Sequence, residues 1–154
     1  METVVEVFRL VAVGLIAGLF SSYLATRDHR YRKWWELRVE AYQELIHSLS
    51  DLVYYFDKHY DAEIENRDMP DELEKKLHAY WDEGFTKVRR AADAGSFLFS
   101  ENVNSALIEF KRAEKERHAT FFEAVDSQLG AAHQCLKIAV KESKADLQIK
   151  KPWF

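Results

Sequence analysis

The segment Leu10–Thr26, with the sequence LVAVGLIAGLFSSYLAT, contains no charged residue. As a helix with a rise of about 1.5 Å per residue it would cover about 26 Å. With residues 4–9 the helix reaches about 35 Å, which is enough to cover a hydrocarbon core of about 30 Å. One pass through a bilayer needs about this length. The segment therefore predicts a single transmembrane helix.

The charges on either side of this segment predict its orientation. Glu2 and Glu6 precede it, and a basic cluster follows it between Arg27 and Lys33. Because basic residues stay on the cytoplasmic side, the rest of the chain is expected in the cytoplasm. We therefore divide the chain into a transmembrane anchor, residues 1–29, and a cytoplasmic domain, residues 30–154.

The competing interpretation is a cleavable signal peptide. The residues before the apolar run are acidic, the run is long for a signal core, and no small-residue cleavage site follows it. The chain has one cysteine, Cys135, whereas exported domains of this size more often carry paired cysteines. These features favour a retained anchor, with Cys135 as a small core residue.

Small residues follow one side of the predicted transmembrane helix. Spacings of three and four residues place them on one face, which comprises Gly14, Ala17, Gly18, Ser21, Ser22 and Ala25. Such a face lets two membrane helices approach closely and predicts a homo-oligomer. Glu6 and Arg9 lie three residues apart near the outer edge. They would either reach the lipid headgroups or, in a ring of helices, line the mouth of a pore.

A cluster of cations and aromatic rings follows the apolar segment. It is rich in the residue types that anchor helices at a membrane surface: Arg27, Arg30, Arg32, Lys33, Trp34 and Trp35. We interpret it as an interfacial belt in contact with the lipid bilayer. The overall net charge is -4, and no second basic surface is evident, so we expect no nucleic-acid partner.

The remaining sequence predicts an all-α fold, an antiparallel bundle of three or four cytoplasmic helices. An apolar stripe runs from Trp35 to Tyr60 with helical spacing, and no glycine or proline interrupts residues 19–69. Pro70 begins a second helix that ends at Gly95, and Ser100 caps a third. The stripe from residue 101 to 147 fades in residues 111–118, which indicates either one helix or two, with Gly130 as a break point.

No catalytic, cofactor or metal-binding motif is complete. Glu44 and His47 form half of a di-metal motif without its second half, and His133 near Cys135 lacks the further ligands that zinc requires. Phosphate loops, nucleophile elbows and catalytic triads are not found in the sequence. We therefore expect a protein that is not an enzyme and carries no cofactor.

One motif resembles that of a known superfamily. The stretch RAEKERH, from Arg112 to His118, resembles the Arg-x(4–6)-His motif of the all-helical HEPN ribonucleases, although Ala113 stands where that family usually has a polar residue. In one continuous helix this pair would lie about 120° apart. The resemblance implies ribonuclease activity with Arg112 and His118 as its pair.

The layout of the whole chain resembles small bacterial membrane proteins with one span and a cytoplasmic helical bundle. The segments TRDHRYRKWWELRVEAY, residues 26–42, and AADAGSFLFSENV, residues 91–103, carry this likeness. The layout is also similar to that of the HEPN-like membrane pore proteins that accompany RNA-targeting CRISPR systems. These resemblances imply a location in the bacterial inner membrane and a role in antiviral defence.

Two functions stay open alongside the ribonuclease alternative. The first is a homo-oligomer that forms a pore or perturbs the inner membrane. The second is a tethered adaptor whose cytoplasmic bundle recruits a protein partner. They differ in whether the small-residue face of the span is required.

Overall fold

The computed structural model describes the backbone of residues 2–148. It also describes the side chains of residues 21–148 and the exposure of Gly18. It contains helices α1 (Glu2–Glu65), α2 (Asp71–Ala94), α3 (Glu101–Lys115) and α4 (Phe121–Asp146), and a 3-10 turn at Gly95–Phe97. The described residues include no strand. The all-α prediction is therefore confirmed.

The chain divides into two compact units, residues 1–37 and residues 38–154. The first consists of the beginning of α1, and the second contains the rest of α1 with the other helices. Among the residues described with their side chains, no helix has an apolar stretch long enough to cross a bilayer. Most of the segment Leu10–Thr26 lies outside those residues.

The core of the second unit forms around the predicted stripe of α1. The stripe residues Tyr42, Leu45, Leu49, Leu52 and Phe56 are all almost completely buried. Their spacing of three and four residues keeps them on one helix face, as an amphipathic helix requires. The side chains of α2, α3 and α4 that pack around them are Phe85, Val88, Val103, Leu107, Phe110, Val125, Ala132, Cys135 and Ala139.

Local signals in the sequence set the boundaries of α2 and α3. Pro70, with a φ of -61°, immediately precedes α2, whose first turn contains three acidic residues that favour the positive end of the helix dipole. Gly95 ends α2 with a φ of 51°, a backbone conformation that glycine adopts without steric cost. The Ser100 side chain accepts a hydrogen bond from the Val103 N–H and caps α3. These three predictions are confirmed.

The chain between residues 101 and 147 forms two helices, but the break is not at Gly130. Helix α3 ends at Lys115, and Thr120 caps α4 by accepting a hydrogen bond from the Glu123 N–H at 3.1 Å. Gly130 lies inside α4. The physical reason is that residues 116–120 supply no apolar side chain to the core, whereas one glycine costs a helix only about 1 kcal/mol.

The connector after α2 closes one end of the core, although only part of it is buried. Phe99 is buried and makes an edge-to-face contact with Tyr42, their ring centres 5.1 Å apart. Phe97 is instead 66% exposed, so the connector covers the core with only some of its apolar side chains.

Gly84 marks a close approach between α1 and α2. A β-carbon at this position would lie 3.0 Å from Leu52 Cγ and 3.1 Å from the Ser48 carbonyl oxygen. Ser48 is itself buried, and its hydroxyl donates a hydrogen bond to the Glu44 carbonyl at 2.8 Å. The two helices therefore pack with backbone close to backbone, which a larger residue would prevent.

We expect the substitution Gly84→Val to lower the free energy of unfolding by about 1–3 kcal/mol, because it overpacks this contact. The control is Gly130→Val, since a β-carbon at Gly130 meets no atom within 4 Å. That control is expected to stay within about 0.5 kcal/mol of the parent protein. Urea unfolding followed by circular dichroism measures both, and equal effects would contradict the close approach.

Candidate functional site

The structure describes part of the predicted small-residue face of α1. Gly18, Ser21, Ser22 and Ala25 are exposed, and no heavy atom lies within 4 Å of a β-carbon built on Gly18. The side chains of Gly14 and Ala17 lie outside the described residues, as do those of Glu6 and Arg9. Within one copy of the chain, the described part of this face is open.

The predicted interfacial belt is exposed along α1, but its cations are not equivalent. Arg27, Arg30 and Lys33 are exposed, whereas Arg32 donates a hydrogen bond to Asp28 at 2.8 Å and forms an ion pair with it. Trp34 is exposed by 37%, and Trp35 is half-buried. One of the four predicted cations is thus already neutralised by a neighbour on the same helix.

The residues of the ribonuclease-like motif lie on different elements. Arg112 is exposed near the end of α3 and approaches Glu109 at 3.5 Å, whereas His118 follows the end of that helix. The Nε2 atom of His118 is buried without a hydrogen-bond partner in the described part of the chain. Among the described residues, no hydrogen bond or ion pair joins Arg112 to His118. The two residues do not share one continuous helix, because α3 ends between them.

The other chemical motifs remain dispersed in the part of the chain that is described. No group of three or more His, Cys, Asp or Glu side chains there could hold a metal ion. Glu44 of the half motif lies 3.8 Å from Lys87, as an ion pair. Cys135 is buried in the core, and this burial raises the pKa of its thiol to about 12. A thiol with that pKa is a poor nucleophile at neutral pH.

A polar network that sequence analysis missed joins three elements at one end of the bundle. Arg38, on α1, donates to the carboxylate of Asp146, on α4, at 2.5 Å and to the carbonyl oxygen of Leu98 at 3.0 Å. Tyr42 donates to the same Asp146 oxygen at 2.5 Å. Asp146 therefore ties the last turn of α4 to two residues of α1.

The network continues into the start of α3. The Ser100 N–H donates to the Tyr42 hydroxyl oxygen, and the Ser100 hydroxyl donates to Glu142 at 3.2 Å. Burial and the hydrogen bond to Asp146 raise the pKa of Tyr42, so its phenol stays protonated and remains a donor. The sequence did contain a signal for this network, because Arg38, four residues before Tyr42, is a charged residue on the apolar stripe of α1.

A cavity of about 260 Å³ lies beside this network, between α1 and α2. Apolar side chains and the connector form its floor, and its charged lining residues are Glu44, Lys87 and Arg90. Lys87 is paired with Glu83 at 2.7 Å, and this contact raises the lysine pKa and lowers the glutamate pKa. The lysine of this cavity therefore already has two acidic neighbours, Glu83 and Glu44.

Aromatic side chains cluster where the end of α1 meets the beginnings of α2 and α4. The His59 ring lies 4.4 Å from the Tyr55 ring and 6.0 Å from the Phe121 ring, and Tyr60 stacks on Phe122 at 5.2 Å. Burial lowers the pKa of His59, an effect that nearby Glu74 and Glu63 oppose. These ring contacts hold the start of α4 against α1.

Comparison with known proteins identifies no relative. No protein-family model matches the chain, and no curated protein or solved structure matches it.

We expect Asp146→Ala to lower the free energy of unfolding by about 1–3 kcal/mol, because Arg38 and Tyr42 then lose a shared acceptor in a half-buried site. The control is Asp93→Ala, which removes the exposed carboxylate that Lys111 contacts at 3.1 Å. Exposed pairs contribute little, so this change should cost less than about 1 kcal/mol. Thermal or urea unfolding measures both variants, and a smaller loss for Asp146→Ala than for Asp93→Ala would exclude the proposed tie.

We expect His59 to make the bundle less stable in mild acid. Its pKa is lower in the folded chain than in the unfolded chain, where it is near 6.5, so protonation favours unfolding. The contribution of neutral His59 is complete above about pH 6.5 and is lost as pH falls toward the folded-state pKa. His59→Phe keeps an aromatic ring there, and its unfolding free energy should fall less between pH 7.5 and 5. Parallel curves for parent and variant would refute this role.

Proposed function

We propose that this chain is a single-pass inner-membrane protein that self-associates through α1 and perturbs or permeates the membrane, without acting as an enzyme. The observation that carries the proposal is the uncharged segment Leu10–Thr26, followed on the same helix by exposed cations and aromatic rings. Basic and aromatic residues directly after an apolar segment are the usual flank of a cytoplasmic membrane boundary. The acidic residues before the segment support the same orientation.

Self-association is supported by the face on which the small residues lie. A helix whose small residues repeat every three or four positions offers other copies a surface for close packing. Gly18, Ser21 and Ser22 are exposed and leave such a surface unfilled within one copy. In a closed ring of identical helices this surface would be used by each neighbour, which gives a symmetric oligomer.

A permeation pathway would follow from that ring. Glu6 and Arg9 precede the uncharged segment, and ionisable residues at a membrane edge often mark ion or solute pathways. We propose them as the outer mouth of the pore. A role in bacterial antiviral defence rests on the resemblance to CRISPR-associated pore proteins and is proposed on that basis only.

A tethered adaptor is the second candidate, and exposed apolar side chains where α1 ends and α4 begins favour it. Ile64, Phe121 and Phe122 are exposed by 61%, 55% and 37% on the cytoplasmic unit. Exposed aromatic side chains are enriched at protein interfaces. In this alternative α1 is a plain anchor and a cytoplasmic protein covers these rings.

The substitutions Gly14→Leu and Gly18→Leu, made together, separate the two candidates. They fill the small-residue face, so we expect the oligomer in mild detergent to dissociate largely to monomers. The control is Ala12→Leu, which helical periodicity places on the opposite side of α1. The mass of the full-length protein, measured by light scattering with correction for detergent, reports the state.

Retention of the oligomer in the control and its loss in the double variant supports the first function. A monomeric parent protein, or a double variant that assembles like the parent, contradicts self-association through this face. If the double variant assembles like the parent, the adaptor function is the better account. Leakage of a dye from vesicles, measured on the same samples, should be lost together with the oligomer.

A further inference from the structure

Residues 23–37 of α1 have two chemically different faces. At about 100° per residue, five side chains fall within an arc of about 100°, and we call them the basic–aromatic face: Tyr23, Arg27, Arg30, Tyr31 and Trp34. Four others occupy the opposite side, and we call them the ion-pair face: Asp28, His29, Arg32 and Glu36. A belt that merely surrounds a helix would not confine both acidic residues to one side in this way.

The basic–aromatic face is open to solvent and carries no acid. Tyr23 is exposed by 64% and Tyr31 by 58%, and both flank the exposed guanidinium groups of Arg27 and Arg30. Neither arginine makes a hydrogen bond or ion pair to another described side chain of the chain. Leu24 and Leu37, exposed by 45% and 44%, extend the same side with aliphatic surface.

The ion-pair face balances its own charge. Asp28 and Glu36 are the acidic residues between positions 21 and 37, and both lie on it. The carboxylate of Asp28 holds Arg32 at 2.8 Å, although both side chains remain well exposed. Arg32 therefore offers less positive charge to an external ligand than Arg27 or Arg30 does.

The combination of groups on the basic–aromatic face defines its ligand. Arginine binds phosphate oxygens through two parallel hydrogen bonds, and Tyr and Trp prefer the depth of lipid headgroups. Aliphatic side chains on the same face, and the uncharged segment that precedes it on the same helix, fit acyl chains and not a nucleic-acid backbone. The ligand that satisfies both groups of side chains is a molecule with a phosphate headgroup and acyl chains.

We propose that the basic–aromatic face binds anionic phospholipid, with Arg27 and Arg30 on the headgroup phosphate and the rings of Tyr23, Tyr31 and Trp34 beside the glycerol and upper acyl region. This inference rests on the proposed membrane location and adds a lipid class and a side of the helix to it. The ion-pair face is left to contact protein. Lipid of one charge class thus controls how α1 is rotated in the membrane.

The experiment compares two arginines two residues apart. The full-length chain in dodecyl maltoside is titrated with dioleoyl phosphatidylglycerol or dioleoyl phosphatidylcholine, and bound lipid is counted by native mass spectrometry. Arg30→Gln is expected to weaken phosphatidylglycerol binding about fivefold, and Arg27→Gln with Arg30→Gln about 25-fold. The matched control Arg32→Gln removes the same charge from the ion-pair face and should change binding less than about twofold.

The possible results divide cleanly. The inference is supported if the parent prefers phosphatidylglycerol, if Arg30→Gln weakens that preference, and if Arg32→Gln leaves it in place. Equal binding of both lipids, or equal losses for Arg30→Gln and Arg32→Gln, overturns it. Tighter binding of a single-stranded RNA than of phosphatidylglycerol would overturn it in favour of a nucleic-acid site. If the parent fractionates with membranes but shows no lipid preference, this inference fails and the proposed membrane location stands; a parent absent from membranes refutes both.

Discussion

The apolar stripe of α1 must be buried, and the second unit, residues 38–154, is arranged to bury it. Leu52 meets α2 where Gly84 lets the backbones approach, and Tyr42 meets the connector through Phe99. Phe56 contacts Phe85 of α2, with ring centres 6.3 Å apart. Each fully buried side chain of this kind contributes about 1.5–3 kcal/mol by leaving water. Because side chains of α2, α3 and α4 all belong to the core around this stripe, removing it would leave these helices without a common partner.

Helix signals in the sequence were informative wherever one residue decides the backbone. Gly95 ends α2 and Ser100 begins α3 because a positive φ and a capping hydroxyl are local requirements. The break between α3 and α4 does not fall at the candidate position Gly130, since helix continuity depends on which residues reach the core and not on glycine alone. The fading stripe in residues 111–118 was the better signal, and the helix ends within it.

The contacts that sequence reasoning missed are those between residues far apart in the chain. Arg38 and Asp146 form one ion pair although 108 positions separate them, and nothing local to either residue specifies the other. The need for glycine at position 84 is also set from a distance, because it arises from the positions of Ser48 and Leu52 on α1. The sequence identifies the residues of the predicted interfacial belt, but only the structure, through the pairing of Arg32 with Asp28, shows that its cations differ.

The two parts of α1 differ in what surrounds their apolar side chains. After Arg38 its apolar stripe is covered by protein, whereas between Tyr23 and Leu37 large apolar and aromatic side chains remain exposed. Exposed surface of that kind is costly in water and is found where a membrane or a partner covers it. In the proposed function, the small-residue face would contact other copies of the chain and the basic–aromatic face would contact lipid.

Membrane integration of the full-length chain is the central claim, and extraction of membranes at high pH tests it most directly. Sodium carbonate releases proteins held at a membrane by charge and leaves transmembrane proteins in the pellet. We predict that the parent chain stays in the pellet, and that replacing Leu15 and Leu19 with arginine moves it to the supernatant, because each charge at the centre of a span costs about 2.5–3.5 kcal/mol. Release of the parent chain by carbonate would contradict the account.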